Sequence, residues 1–531
     1  MNRTIDVLLV YPPVMRNSRP TDPPFGLMYL AAVLRQAGIG VSILDLNALR
    51  WPDERVRDYF RENRFHVVGI GGMTTVYYYV RWLAACIQEA SPATKVIGGG
   101  SFATPVPETV LEHTALDAVC IGEGESVIVP LVAALLADRA LDDLPGIAFK
   151  SAGGTIVKTA ARPLLDDLDS LPWPAYDLVD MRLYLASTGK RPSLLRMAQR
   201  HGIAPEGLSN TFIMFSARGC PFGCTFCYRN FGRQVRRHSV DYLLKHIRFV
   251  REQFGVNNIA FYDETFNASP SWVREFCRRS REELPETFFW MGGARADLLD
   301  DDLLAELKRA RFYEVSVGVE SFDDRILTEM GKRLDARTLL SSLRRLIAHD
   351  LAPSYLGMLY GFPGDDERSL RRSVDEICRL GIPAYFQFPL PFPGTILFER
   401  LRQEGRIADV EQFMLRMADQ MTQDLCVNLS RYPDEVLVRM VRDAEQEIAA
   451  SVPQSSPSPP SPPPTNGKPR RRLLPRIGSR ARREASRGIR LLRRLTLRRP
   501  ASPAGGVRVA LVGNIANNAF NMVNILREEG V

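Results

Sequence analysis

Three cysteines stand close together in Ser216-Ala-Arg-Gly-Cys220-Pro-Phe-Gly-Cys224-Thr-Phe-Cys227-Tyr228, at the spacing C-x3-C-x2-C. Gly219, Pro221 and Gly223 let this stretch curl tightly, so that its thiolates can converge on one point. Three thiolates are one short of a closed tetrahedral zinc site, and one short of filling every iron of a four-iron cluster. A partial zinc site or three unrelated buried thiols would satisfy the spacing alone. A cluster held this way would leave one metal position open to a ligand that is not protein.

The elements that must position these thiols follow a strand–loop–helix rhythm. An apolar run, Thr211 to Phe215, leads into the cysteine loop. Further strands are expected at Asn258–Tyr262, Phe288–Met291, Glu314–Val317, Pro353–Leu359 and Tyr385–Phe388, each followed by a helix-length segment. Six such units suit a partial barrel rather than a closed eight-fold one, and chemistry in such barrels sits at the carboxyl ends of the strands. Those ends carry Asp263-Glu264, Arg295, Glu320 and Gly364-Asp-Asp. Each carboxylate could instead cap the helix that follows it or pair with Arg295.

The first 140 residues or so alternate in the same way. Strands are expected at Asp6–Tyr11, Val41–Asp45, His66–Ile70, Lys95–Ile97 and Ala118–Ile121, and Phe25–Ala37 has helical periodicity ended by Gly38. Continuous apolar strands between helices imply a doubly wound, Rossmann-like α/β domain with a parallel sheet, whose ligand sits at the strands' carboxyl ends. Here those ends are Gly71-Gly-Met73-Thr74-Thr75, Gly98-Gly99-Gly100-Ser101 and Gly122-Glu123-Gly124-Glu125. Leu165 to Leu178 is rich in Pro and Asp and reads as an extended connector.

At 531 residues the chain has room for two to four domains, and 45% hydrophobic residues suffice for their cores. No apolar run is long enough to span a membrane, and the N-terminus lacks a signal-peptide core. Apart from the trio, the cysteines (Cys86, Cys120, Cys277, Cys378 and Cys426) are dispersed in apolar or helical contexts. They read as core residues, which argues for a reducing, cytoplasmic setting rather than a disulfide framework. The net charge of +8 misleads: Lys468 to Arg499 holds 14 Lys/Arg against Glu484 alone, so the remainder carries −5. No nucleic-acid binding is expected of that remainder.

Taken together, Arg218-Gly-Cys220-Pro-Phe with C-x3-C-x2-C and Phe226 resembles the cluster motif of the radical S-adenosylmethionine (radical SAM) family. The glycine loops, with Tyr11-Pro-Pro13 and Pro24-Phe-Gly26-Leu27, resemble the cobalamin-binding domain fused in front of many such enzymes. The resemblance implies that Cys220, Cys224 and Cys227 hold a [4Fe–4S] cluster whose fourth iron binds SAM. It implies that Phe226, Asp263, Glu264, Arg295 and Glu320 line the SAM site. It implies cobalamin contacts from Pro13, Gly26, Leu27, Met73, Thr74, Thr75, Gly99, Gly100, Ser101, Gly122, Glu123 and Gly124. Domains are then expected at 1–145 (cobalamin), 146–210 (connector) and 211–445 (radical SAM partial barrel). Many cobalamin proteins use D-x-H-x-x-G to ligate cobalt from below. Asp45 to Arg50 has no His, and His66 and His113 sit in no such motif, so no lower histidine ligand is expected. Lys332 also matches a recurrent position, with a solvated surface residue as the competing reading, and none of His238, His246 and His349 is assigned as a general base.

The implied activity is C-methylation of an unactivated carbon of a small-molecule, lipid or natural-product substrate, with electrons from a donor such as flavodoxin or ferredoxin. The alternatives are radical cyclisation or rearrangement, and a corrinoid- or cluster-based sensor without turnover. Residues 450–505 read as a Pro/Ser-rich, then basic, disordered linker; contact with a membrane surface is the less favoured reading. Residues 506–531 resemble the opening βα unit of a Rossmann-like, glycosyltransferase-like domain, cut short before its second strand.

Overall fold

The computed structural model describes residues 6–14, 20, 22–229, 231–418 and 424–452. The expected linker and closing βα unit beyond residue 452 lie outside the described residues. Near-continuous runs such as Val7-Leu-Leu-Val and Phe288-Phe-Trp-Met have no polar face, so they can only be strands covered on both sides.

The first sheet has the strand order β2-β1-β3-β4-β5-β6-β7. Its members are β1 (Val7–Tyr11), β2 (Val41–Asp45), β3 (Val67–Gly72), β4 (Lys95–Gly100), β5 (Ala118–Cys120), β6 (Ile147–Lys150) and β7 (Ile156–Lys158). The first five are parallel, as the α/β reading requires. The last two are antiparallel and lie in the stretch expected to be connector, so the first sheet extends to Lys158. The signal was short: β7 is only three residues long, none fully buried.

The second half builds β8 (Phe212–Met214), β9 (Ala217–Arg218), β10 (Arg236–Arg237), β11 (Asn258–Phe261), β12 (Phe288–Ala294), β13 (Phe312–Val317), β14 (Leu356–Leu359) and β15 (Ala384–Gln387). The parallel run β8-β11-β12-β13 and the parallel pair β14-β15 are joined by a single bridge, Glu320 to Met358. This is the six-stranded partial barrel, with β9 and β10 as a separate antiparallel ribbon beside it. On one face Phe261, Phe289, Phe312 and Val315 join the large core under the outer helices. On the other, Ala260, Phe288, Trp290 and Tyr313 pack against Leu194, Met197 and Ala198 of the helix Pro192–Arg200. That helix comes from a stretch without any motif, and it covers the inner face of the barrel sheet.

Its entry is pinned by charge. Arg191 lies 3.9 Å over the Trp290 ring and forks onto Glu314 at 3.0 and 2.7 Å. Glu314 is fully buried and also accepts from Ser193 and from the Ser354 hydroxyl and amide. Glu314→Ala would leave the half-buried Arg191 guanidinium without its carboxylate, and a loss of about 2–3 kcal/mol is expected by urea denaturation; a loss below about 1 kcal/mol would contradict it. No helix among the described residues is long and apolar enough to cross a membrane.

Candidate functional site

The cysteine loop begins where β8 ends, at the carboxyl edge of the barrel sheet. Gly219 has φ +93°, and a Cβ there would sit 2.1 Å from the Gln234 carbonyl oxygen, so no other residue fits. Three backbone bonds hold the loop: Cys220 N to Gly232 O at 3.1 Å, Thr225 N to Met330 O at 2.8 Å, and Leu397 N to Thr225 O at 2.9 Å. The loop is thus tied to three other parts of the barrel.

The Cys220 sulfur lies 3.3 Å from the Thr265 hydroxyl. The neighbouring Cys227 lowers the Cys224 thiol, with burial opposing and Lys332 helping, and Cys224 in turn raises that of Cys227. No three His, Cys, Asp or Glu side chains among the described residues converge tightly enough for a single metal ion. Three thiolates on one loop are the donor set of a four-iron cluster that keeps one iron open, each ligand of such a cluster binding its own iron.

Glu320 has φ +67°, uncommon for any residue but glycine. It is held there as the stitch between the two halves of the barrel: its N donates to Gly357 O at 3.2 Å and its O accepts from Leu359 N at 2.8 Å. Its carboxylate takes a 3.1 Å bond from Lys332, which is buried rather than solvated. A Cβ on Gly318 would meet that carboxylate at 2.6 Å. Arg295 is buried, stacks 3.9 Å over Phe222 of the cysteine loop, and donates to Asp297 at 2.8 Å and Arg333 O at 3.1 Å. Phe226 packs edge-on against Phe362, 6.1 Å away. Lys332 bonds Glu320, the adjacent Arg333 carbonyl takes Arg295, and Arg295 stacks on Phe222, so these groups meet beside the loop.

Asp263 departs from its expected role. Its oxygens are taken by the Ser216 amide at 2.7 Å, the Ala217 amide at 3.0 Å and the Ser216 hydroxyl. It fastens the stem of the cysteine loop to the end of β11, whereas its neighbour Glu264 is exposed; burial raises the Tyr228 phenol and the charge of Glu264 adds to it. Burial pushes the Asp263 carboxyl up to about 6. A raised carboxyl favours folding when protonated, so that contribution is full below the unfolded value of 3.8 and lost as pH rises through 6. Asp263→Asn keeps an acceptor for both amides. Relative to it, the wild-type protein is expected to lose on the order of 3 kcal/mol between pH 4 and 7, by denaturation at each pH; parallel curves would rule the shift out.

A cavity of about 480 Å³ opens at the carboxyl ends of the first sheet. Of the residues expected to contact cobalamin, Gly26, Leu27, Met73, Gly99, Gly100, Gly122, Glu123 and Gly124 line it. Pro13, Thr74, Thr75 and Ser101 do not. Thr74 is buried and spends its hydroxyl on the Ser101 carbonyl at 3.1 Å, and Pro13 lines a separate recess with Arg50 and Trp51. Glu123 borders the cavity, but its carboxylate is engaged by Arg218, Arg236 and the Leu165 amide. Those bonds outweigh burial and lower its pKa.

The fit to a flat, amide-fringed ligand rests on glycine. At Gly99 a Cβ would meet only the Cys120 Cβ, at 3.7 Å, so backbone there is open to the cavity. Gly100 has φ +101° and its Cβ would strike the Gly72 carbonyl oxygen at 2.4 Å, which closes the turn to other residues. His66 and His113 are turned to Asp6 and Glu411, at 3.7 and 3.4 Å, and neither lines the cavity. The opposite wall comes from the barrel half: Ile213, Phe215, Ala217, Arg218, Phe231 and His238. Sequence reasoning missed these. The only hint was position, since Ala217 and Arg218 directly precede the cysteine loop. His238 is buried, stacked on Tyr242, and burial drives its imidazole down to about 4 despite a 3.1 Å bond to Asp169. Cys86, Cys120 and Cys277 are buried as expected, while Cys378 and Cys426 are half-buried at core edges.

Known proteins resemble the chain in both halves. Residues 12–132 match the family model of the B12 binding domain, and residues 214–377 that of the Radical SAM superfamily. An uncharacterized methyltransferase of Pyrococcus horikoshii is 27% identical over 451 residues, covering 83% of this chain and 92% of that protein. An anaerobic magnesium-protoporphyrin IX monomethyl ester cyclase of Cereibacter sphaeroides is 25% identical, covering 74% of this chain and 62% of that one. The solved structure of TsrM, a radical SAM methyltransferase from Kitasatospora setae with cobalamin and a [4Fe–4S] cluster bound, superposes with a TM-score of 0.61 at 19% identity. The match covers 76% of this chain and 78% of TsrM, and it shows a shared fold. The radical SAM domain type takes a [4Fe–4S] cluster with SAM, and the B12-binding type takes cobalamin. With a cysteine loop at the mouth of a partial barrel and a glycine-floored cavity facing it, the chain belongs to the B12-binding radical SAM enzymes.

Proposed function

We propose that the chain methylates an unactivated carbon of a small-molecule substrate. One observation carries this reading: a single cavity is walled on one side by the glycine ends of the first sheet and on the other by the stem of the cysteine loop. Two cofactors held there would open on the same space. When bound, the cluster with SAM supplies a carbon-centred radical able to abstract hydrogen, and cobalamin supplies a transferable methyl group.

The chain's own residues bind, orient and shield. Cys220, Cys224 and Cys227 would hold the cluster, with the Thr265 hydroxyl at the Cys220 sulfur. Glu320, Arg295 and Glu264 would receive the polar groups of SAM, and Phe226 would pack beside it. Glu320 is preset for this by its backbone conformation and by Lys332, so little ordering remains when the ligand arrives. Gly99, Gly100, Gly122 and Gly124 would let backbone meet the corrin, while Phe25, Ile213 and Phe215 keep water out. Free cysteines throughout the described residues agree with the reducing, cytoplasmic setting that a cluster and its electron donor, a flavodoxin or ferredoxin, require.

The cyclase of Cereibacter sphaeroides supports a second reading, radical ring closure on a similar scaffold. Anaerobic turnover with a strong reductant separates the two. Methylation yields 5′-deoxyadenosine and S-adenosylhomocysteine in equal amounts; ring closure yields 5′-deoxyadenosine alone. Formation of neither product by cluster-loaded protein would rule out both.

A further inference from the structure

Arg218 ends β9, two residues before Cys220, and its side chain reaches the Glu-Gly-Glu turn of the first domain. It donates to Glu123 at 2.9 Å and to Glu125 at 2.6 Å, and all three side chains are nearly sealed from solvent. Its guanidinium lies 4.9 Å over Phe231 and 5.6 Å over Tyr29. Directly across the ribbon, Arg218 is paired with Arg236. Like charges in that position repel. They are reconciled by Glu123, whose second oxygen takes Arg236 at 2.7 Å and the Leu165 amide at 2.9 Å. Two arginines of the ribbon therefore meet two carboxylates from the other sheet, and neither set is neutralised without its partner. A buried charge left single is costly, so the ribbon is satisfied only when the turn after β5 is seated on it.

This clamp is also a wall of the cavity, which Glu123, Glu125 and Arg218 all border. We propose that Arg218 is a positioning residue that sets the spacing between the cluster loop and the corrin floor, acting through Glu123 and Glu125 rather than by touching either cofactor. The proposal rests on the two-cofactor reading above. Its chemistry is geometric: abstraction and methyl delivery must converge on one carbon, and small displacements of reacting groups lower rates steeply.

The test compares wild type with Arg218→Met/Glu125→Gln, which removes both partners of the Arg218–Glu125 pair and the Arg218 bond to Glu123, leaving Glu123 on Arg236. Arg218→Lys serves as the conservative variant, since a single ammonium cannot fork across both carboxylates. Each protein is reconstituted anaerobically with iron, sulfide and hydroxocobalamin. The magnetic coupling between cob(II)alamin and the reduced cluster is then read by electron paramagnetic resonance. The double variant is expected to hold both cofactors at wild-type stoichiometry, to show weakened coupling, and to release severalfold more 5′-deoxyadenosine per methylated product. The Lys variant is expected to fall between. Unchanged coupling and an unchanged ratio would overturn the proposal. If wild type binds no corrinoid, the two-cofactor reading fails instead. The clamp is then read by amide exchange over residues 120–126 in cluster-only protein, where about tenfold faster exchange is expected in the double variant and equal rates refute it.

Discussion

Replacing any one of Cys220, Cys224 and Cys227 with Ala is expected to abolish SAM cleavage, by at least about a thousandfold, or roughly 4 kcal/mol of barrier. Each thiolate would hold its own iron, so the loss of one would leave a second iron without a protein ligand and destabilise the cluster. The fold should survive, because backbone bonds from Cys220, Thr225 and Leu397 hold the loop without help from sulfur. The observable pattern is therefore specific: near-normal far-ultraviolet circular dichroism and melting, iron and sulfide reduced to background, and no 5′-deoxyadenosine under a strong reductant. Cys277→Ala is the control, since that thiol is fully buried beneath the barrel helices and far in sequence from the loop. It should cost stability through a small cavity but leave the cluster intact. A trio variant that keeps its charge-transfer absorption and still cleaves SAM would remove the basis of the assignment.

Gly99→Trp is expected to cut corrinoid retention at least tenfold, or about 1.4 kcal/mol, while leaving cluster content and SAM cleavage in place. Gly99 is the last residue but one of β4, its φ lies outside the left-handed region, and its Cβ direction is open except for Cys120 at 3.7 Å. An indole there would enter the cavity of about 480 Å³ and occupy the space intended for the ligand without straining the strand. Gly100 would be a poor choice, because its φ of +101° and the 2.4 Å approach to Gly72 would distort the sheet itself. Corrinoid quantified after anaerobic loading and desalting gives the answer. Full retention would place cobalamin elsewhere. Loss of both corrinoid and SAM cleavage would show that the two halves cannot be emptied separately.

Much of the site was legible because it is local. A loop that must bring three sulfurs together needs glycine and proline at fixed offsets, and those are visible as letters. Strands covered on both faces are visible as unbroken apolar runs, which is why the parallel order through β5 and the six barrel strands were readable. What could not be read is a side chain's partner when it comes from far along the chain. Asp263 and Glu264 are adjacent and chemically alike. Only the fold decides that one is spent on Ser216 and Ala217 while the other stays exposed. Glu123 was read as a ligand contact because it sits in a glycine loop at a strand end. It is claimed by arginines 95 and 113 residues away. Thr74 and Ser101 looked like hydroxyl donors to a ligand, yet one bonds the other's backbone.

What the residue order determined on its own was the chemistry available and the two folding units that carry it: thiolates at cluster spacing, glycines where backbone must lie bare, and strands alternating with helices. These depend on spacing within a few residues, where chain geometry leaves little choice. Tertiary structure alone decided which charges are consumed by folding and which remain for a ligand. It also decided that the helix Pro192–Arg200 covers the inner face of the barrel sheet, and that Arg218 joins the cluster loop to the opposite wall of the cavity. Burial makes each charge find a partner wherever one is near, and nearness across a hundred residues is a property of the folded chain.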